Sequence, residues 1–394
     1  MKIALVTDQL GASPRADDYP ADPAFQVLSL ASALAGQGQQ ITVYSRQDPA
    51  CQHPAGQAGS GHCPGVTVEE VPAGPPEGLQ HIAALAGQLA DRWSCDPPDV
   101  IHAHVWTSGL AALAGARNLD IPVVQTFHPL GTGRGARPGR LLAGAGDAAR
   151  SRLEAAIGRC AAAVTANTTD ERAALARLGV PRASVTIVPP GVDITLFHPQ
   201  GSAAERGRRP RLLMVSPPDD REGPAAALRA LADVPGAELV IVGEPGSEPG
   251  DGTLSRLART LGVRDRLTCL GRVSEAGMPP LMRSADVLVH LTPSPRFAMV
   301  PVEAMACGTP VIAGEDAAPG DAVIHGNTGF LVPSAAPAQL VRRIRQLLAS
   351  PMLLEGYGIA AVSRVRSRYS WERVGQQTLA VYEALLGSPH EAAA

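Results

Sequence analysis

The chain has 394 residues, 45% of them apolar and 18% charged, which is the composition of a folded protein of two or three domains and not of a disordered one. Lys+Arg numbers 34 against 37 Asp+Glu, a net charge of −3, which argues against a sequence-independent nucleic-acid binder. No apolar run approaches the roughly 18 residues of a membrane span, and the opening apolar stretch is too short for a signal peptide, so a cytoplasmic protein is expected.

Short β-branched runs alternate with helical patterns along the chain. Strands are predicted at 3–7, 40–45, 99–104, 123–128, 162–166 and 185–188, with helices at 25–36, 76–93, 108–117, 147–159 and 169–178 between them. A stretch punctuated by Pro and Gly, 199–210, reads as an interdomain linker. A second series follows, with strands at 212–216, 239–243, 267–270, 287–291, 311–313 and 330–332 and closing helices at 336–348, 355–368 and 371–386. The alternation predicts α/β architecture: two doubly wound, Rossmann-like domains facing across a cleft. The first is expected over 1–198 and the second over 211–368, with 369–394 crossing back to the first. Ligands in such sheets bind beyond the carboxyl ends of the strands, so the chemistry is sought in the loops after strands.

Two counts limit that chemistry. Lys2 is the sole lysine, so no interior lysine exists to form a Schiff base, clamp a phosphate or act as a base. The six cysteines are scattered, as suits a chain without a disulfide framework. Cys51, His53, His62 and Cys63 share one Gly- and Pro-rich loop, but their spacing matches no standard zinc site, and no metal is expected there.

Several segments, in order, carry a resemblance. In the first half they are Pro98-Asp99-Val100-Ile101-His102-Ala103-His104 with Trp106, Val123-Val124-Gln125-Thr126-Phe127-His128, and Ile187-Val188-Pro189-Pro190-Gly191-Val192-Asp193. In the second they are Leu270-Gly271-Arg272-Val273, the run Val302-Glu303-Ala304-Met305-Ala306-Cys307-Gly308-Thr309-Pro310, Gly326-Asn327-Thr328-Gly329-Phe330, and Tyr369-Ser370-Trp371-Glu372-Arg373. Together they resemble glycosyltransferase family 4, retaining enzymes of the GT-B fold, and within it the inositol-phosphate and sucrose-phosphate type branch.

The resemblance implies transfer of a sugar from a nucleotide diphosphate to an acceptor hydroxyl, with no metal or other cofactor. Charge builds on the leaving diphosphate, so preorganised donors and cations are the main catalytic resource. By the family pattern His128 contacts the transferred sugar, Glu303 accepts hydrogen bonds from the ribose, and Gly308 turns the chain near the nucleotide. Arg134, Arg137 and Arg140 follow His128 in a basic loop suited to an acceptor phosphate.

The departures cluster on donor binding. Pro217 and Glu222 stand where the family has an Arg and a Lys on the diphosphate, leaving Arg221 as the positive residue of that stretch. Pro295 replaces the first Glu of the family pair and Ala298 a glycine. The first loop, rich in glycine in the family, reads Asp17-Asp18-Tyr19-Pro20-Ala21-Asp22 here. Arg272 and Arg296 are the candidate substitutes. Two readings follow: a transferase with an altered donor site, or an inactive relative that serves as scaffold or activator of a partner transferase. A phosphorylase of the same fold is set aside, because pyridoxal phosphate needs a lysine.

Overall fold

The structure is a computed structural model, and it describes residues 1–7, 23–47, 65–73, 80–128, 130, 146–217, 219–243, 252–294, 298–317, 321–333 and 336–387. The chain divides into two compact units: the first runs to Gly191 and resumes at Trp371, and the second spans Val192–Ser370.

The first unit is built on β1 (Lys2–Thr7), α1 (Pro23–Gly36), β2 (Gln40–Arg46), β3 (Val66–Val71), α2 (Gln80–Cys95), β4 (Val100–His104), α3 (Trp106–Gly115), β5 (Val123–Thr126), α4 (Gly146–Cys160), β6 (Ala163–Ala166), α5 (Thr169–Arg177) and β7 (Val185–Ile187). Its seven strands are all parallel in the order β3-β2-β1-β4-β5-β6-β7. β1, β4 and β5 are buried along almost their whole length because helices cover both faces of the sheet. On one face Trp93, Leu89 and Leu85 of α2 pack with Ile101, Phe127 and Ile157. On the other, Ile3, Leu5 and Leu34 pack with Val374, Val381 and Tyr382 from the last helix of the chain.

The second unit holds β8 (Arg211–Val215), α6 (Glu222–Ala232), β9 (Glu238–Val242), α7 (Thr253–Thr260), β10 (Leu267–Cys269), α8 (Met278–Ser284), β11 (Val287–His290), α9 (Val300–Ala306), β12 (Val311–Gly314), β13 (Gly329–Val332), α10 (Pro337–Leu348) and α11 (Pro351–Arg368). Its six parallel strands run β10-β9-β8-β11-β12-β13. The final helix, α12 (Trp371–Gly387), belongs to the first unit and packs on α1. Gly375 permits that approach: a Cβ there would lie 3.2 Å from the Ala33 Cβ and closer still to the Gln37 side chain.

Two differences from the sequence reading have physical causes. The strand β3 carries no clear sequence signal, because Thr67 and the pair Glu69-Glu70 break its three valines on a sheet edge and a Gly- and Pro-rich stretch precedes it. The segment 199–210 is part of the second unit and not a free linker, and the boundary falls at Gly191/Val192 instead of 198/199. Arg206 holds the Asp286 carboxylate at 2.7 Å, Arg209 holds Asp265 at 3.0 Å, and the Ala204 amide donates to the Pro280 carbonyl at 2.9 Å. Among the described residues no helix is long and apolar enough to cross a membrane.

Candidate functional site

Each sheet has one switch point where the strand order reverses: β1/β4 in the first unit and β8/β11 in the second. The crevice outside the carboxyl ends of those strands is where doubly wound sheets take ligands.

In the first unit, β4 ends on His102-Ala103-His104. The period of two along a strand puts both imidazoles on one face, with ring centroids 4.3 Å apart. His104 pairs across to Thr126, the last residue of β5, and His128 follows just beyond it. The His128 ring stacks on His104 with centroids 5.3 Å apart and planes 9° off parallel, and its Nε2 lies 3.1 Å from His104 Nδ1. His102 is held from the other side. Its Nδ1 sits 2.6 Å from the Tyr382 hydroxyl and its Nε2 2.7 Å from Thr126 Oγ1, which in turn meets the Thr165 hydroxyl.

A contact between two ring nitrogens needs one N–H and one lone pair, which a neutral pair supplies. Burial enforces the same state. It lowers His102 to about 3, with the neighbouring His128 adding, and lowers His128 to about 4. It pulls His104 well below the usual imidazole value, with His102 and His128 adding. The cluster is therefore neutral at pH 7 and offers hydrogen bonds, not charge. His104 Nε2 is buried without a partner, and His128 keeps part of its surface in solvent.

The residue after His104 is strained. Val105 has φ 66 and ψ 160, a region that a β-branched residue rarely enters. Three hydrogen bonds hold it there. Its amide donates to the Thr126 carbonyl at 3.0 Å, and its carbonyl accepts from Gln125 Nε2 at 3.0 Å and from the Gly109 amide at 3.1 Å. Strain so over-determined is typical of functional loops.

In the second unit, the switch point is organised by a carboxylate. Asp220, in the loop after β8, accepts from the Glu222 and Gly223 amides through Oδ1, both at 3.1 Å. Its Oδ2 accepts from Ser216 Oγ at 3.1 Å and from Thr292 Oγ1 at 2.6 Å. Ser216 follows β8 and Thr292 follows β11, so one carboxylate spans the switch point and caps α6. Gly223 makes the room: a Cβ there would stand 2.7 Å from Asp220 Oδ2 and 2.9 Å from the Met214 methyl. His290, the last residue of β11, is buried beside this network. Burial lowers it to about 4, against the opposing pull of the Ala317 backbone and the Asp220 carboxylate.

The residues singled out in the sequence fall as follows. Glu303, 7% exposed, stands in the first turn of α9, beyond the loop that leaves β11. Arg221 is exposed at the residue before α6 and makes no side-chain cap bond, and Glu222 beside it is exposed. Arg272 is exposed just past β10, where the Gly243 amide bonds the Gly271 carbonyl at 2.6 Å. Pro217 and Ala298 are half-buried. Gly308 lies past the far end of α9, at φ 83, packed near Pro199 and Val362 and leading into β12. The chain-reversing turn accounts for it. Lys2 pairs with Asp96 at the amino end of β1, away from the strand-end loops. Arg134, Arg137, Arg140, Pro295, Arg296, residues 17–22 and the Cys51/His53/His62/Cys63 group lie outside the described residues. Among the described residues no group of three or more His, Cys, Asp and Glu is arranged to hold a metal.

The sequence reading assigned no role to His102, His104, Tyr382, Asp220, Thr292 or His290. His102 and His104 were legible as a period-two pair. The others depend on partners far along the chain. A separate hollow of about 710 Å³, lined by Leu110, Leu113, Ile121 and Ile157, opens at the amino end of β5 and shares none of these groups.

Residues 23–191 match the Glycosyl transferase 4-like domain and residues 200–363 match Glycosyl transferases group 1. The chain is 31% identical over 384 residues to D-inositol 3-phosphate glycosyltransferase 2 of Catenulispora acidiphila, covering 90% of this chain and 88% of that protein. The chain belongs to the family 4 glycosyltransferases. It is also 32% identical over 391 residues to a D-inositol 3-phosphate glycosyltransferase of Mycobacterium bovis, covering 92% of this chain and 78% of that one. Sucrose-phosphate synthase from Thermosynechococcus elongatus superposes with a TM-score of 0.78 at 26% identity, over 98% of this chain and 99% of that one. Anabaena HepE in complex with UDP shares the fold at a TM-score of 0.74 and 20% identity, over 98% of this chain and 100% of that one. The fold of this glycosyltransferase is GT-B, two Rossmann-like units, each with a parallel sheet.

Proposed function

We propose that this glycosyltransferase moves a hexosyl group from a nucleotide sugar to a hydroxyl of a small phosphorylated acceptor of the inositol-phosphate class, with a weakened hold on the donor diphosphate. One observation carries the reading: His128, neutral and partly exposed at the carboxyl end of β5, is fixed by its stacked contact with His104. A neutral imidazole so placed hydrogen-bonds a sugar hydroxyl without attracting the anionic part of the donor. Glu303 accepts from the ribose hydroxyls, and Arg134, Arg137 and Arg140 take the acceptor phosphate. Arg221, Arg272 and Arg296 are the cations left for the donor. The acceptor class rests on the relatives' names over nine-tenths of the chain.

A second reading has its own observation. Pro217 and Glu222 remove two cations from the loop after β8, and Asp220 already occupies the first amides of α6. An inactive transferase that supports a partner enzyme fits that loop. One experiment separates the two. The protein is incubated with inositol 3-phosphate and a panel of nucleotide sugars, product is read by mass spectrometry, and thermal unfolding is followed with each ligand. A ligand at 100 times its Kd stabilises the fold by about 2.7 kcal/mol. Product with any donor supports the first reading. No product, with a shift from inositol phosphate alone, supports the second.

A further inference from the structure

We propose that Asp220 is a specificity-determining residue: its carboxylate fills the switch-point crevice of the second unit with a built-in anion and closes that crevice to a phosphoryl group. The inference deepens the reading above, since it takes this crevice as the place where the donor's phosphates approach.

Four hydrogen bonds hold the carboxylate in place. Amides at the start of a helix are the natural seat of a ligand anion, and the α6 amides stand at the carboxyl end of a switch-point strand. Those of Glu222 and Gly223 are spent on Asp220 Oδ1. The hydroxyls from the two flanking strands, Ser216 and Thr292, are spent on Oδ2. Four neutral donors among the described residues thus converge on one side chain. An incoming phosphate finds no unspent donor among them, and it meets a negative charge within a few ångströms.

The surroundings reinforce the effect. Asp219 and Glu222 are exposed on the same loop, against one cation, Arg221. The arrangement is held firmly, because Ser216 follows one strand and Thr292 another, and both hydroxyls hold the same carboxylate oxygen. A ligand that presents uncharged hydroxyls at this point meets no such penalty.

Asp220→Asn isolates the charge. The asparagine oxygen still accepts from the two amides, and its NH2 donates to Ser216 and Thr292, whose hydroxyls rotate to accept. The geometry survives and the charge does not. Binding of inorganic pyrophosphate, measured by calorimetry, reads the crevice without depending on any nucleobase. Asp220→Asn is expected to bind pyrophosphate at least fivefold more tightly than the unaltered protein, with a gain that shrinks as salt rises. Asp219→Asn makes the same charge change on the exposed neighbour and should gain less. A smaller gain than fivefold in Asp220→Asn, or an equal gain in both variants, overturns the inference. Asp220→Ser keeps a helix-capping acceptor without charge and serves if the Asn variant loses its melting transition. Uridine, adenosine and guanosine, titrated in parallel, test the donor reading by itself. A pyrophosphate gain with no nucleoside binding sinks the donor reading and leaves Asp220's role standing. Nucleoside binding with no pyrophosphate gain does the reverse.

Discussion

The two switch points of this glycosyltransferase solve one structural problem in opposite ways. In the first unit the strand ends carry three neutral imidazoles, ordered by Tyr382, Thr126 and one another. In the second they carry a carboxylate that gathers two amides and two hydroxyls. The neutral cluster carries no charge and is largely buried, so salt has little purchase on it. The acidic loop is largely exposed, so salt and charge reversal act on it directly. His128, the proposed sugar contact, stands in the first unit, while Pro217 and Glu222 stand where the resemblance leads one to expect cations in the second. On the proposed reading, binding of a sugar and binding of a diphosphate change independently within one GT-B chain.

His128→Ala should have the largest effect. Loss of a preorganised hydrogen bond at the transferred sugar lowers kcat about 100- to 1,000-fold, or about 2.7–4 kcal/mol, measured with whichever donor yields product. An unchanged kcat removes His128 from the site. Pro217→Arg with Glu222→Lys comes next. It restores two cations within reach of a diphosphate, where one ion pair at 4 Å is worth about 4 kcal/mol at an effective dielectric of 20 before screening. Nucleoside diphosphate affinity should rise about 100-fold, about 2.7 kcal/mol. No gain means that this loop does not meet the diphosphate.

Two smaller predictions concern the buried histidines. Tyr382→Phe leaves His102 Nδ1 without its 2.6 Å partner and should destabilise the first unit by about 1–3 kcal/mol, read as a lower melting temperature. An unchanged melting temperature would mean that α12 does not order the cluster. The pH dependence has a definite sign. His102, His104, His128 and His290 are neutral when folded and protonate near 6.5 when unfolded. Their contribution is complete above pH 6.5 and is lost as pH falls toward 4. Glu171, raised to about 7 by burial, acts in the opposite direction: it stabilises below 4.5 and loses that effect as pH rises toward 7. It offsets one histidine. Stability should therefore rise between pH 4 and 6.5, and His290→Leu should flatten the slope by up to about 1.4 kcal/mol per pH unit. A slope unchanged by that substitution would place the acid sensitivity elsewhere.

Much of this was legible beforehand, for reasons that particular residues show. Buried parallel strands such as Val100–His104 and Val123–Thr126 are read from short β-branched runs, and the motif around His128 placed it at a strand end. The edge strand Val66–Val71 lacks that signal because the pair Glu69-Glu70 interrupts it. The working partners were hidden by distance along the chain. Tyr382 reaches His102 across 280 residues and Thr292 reaches Asp220 across 72, and no local pattern encodes either pair. Asp220 itself stood in plain view inside the stretch from Ser216 to Gly223. Its meaning depends on side-chain direction, which sequence does not supply.

The central claim is that the second unit's crevice is built against phosphate. The most direct test titrates the unaltered protein with a nucleoside and with its own diphosphate, for each of the common bases, by calorimetry at low salt. The account predicts that the nucleoside which binds does so about as tightly as its diphosphate, because the added phosphates meet Asp220, Asp219 and Glu222. A diphosphate that binds 100-fold more tightly than its nucleoside would contradict it.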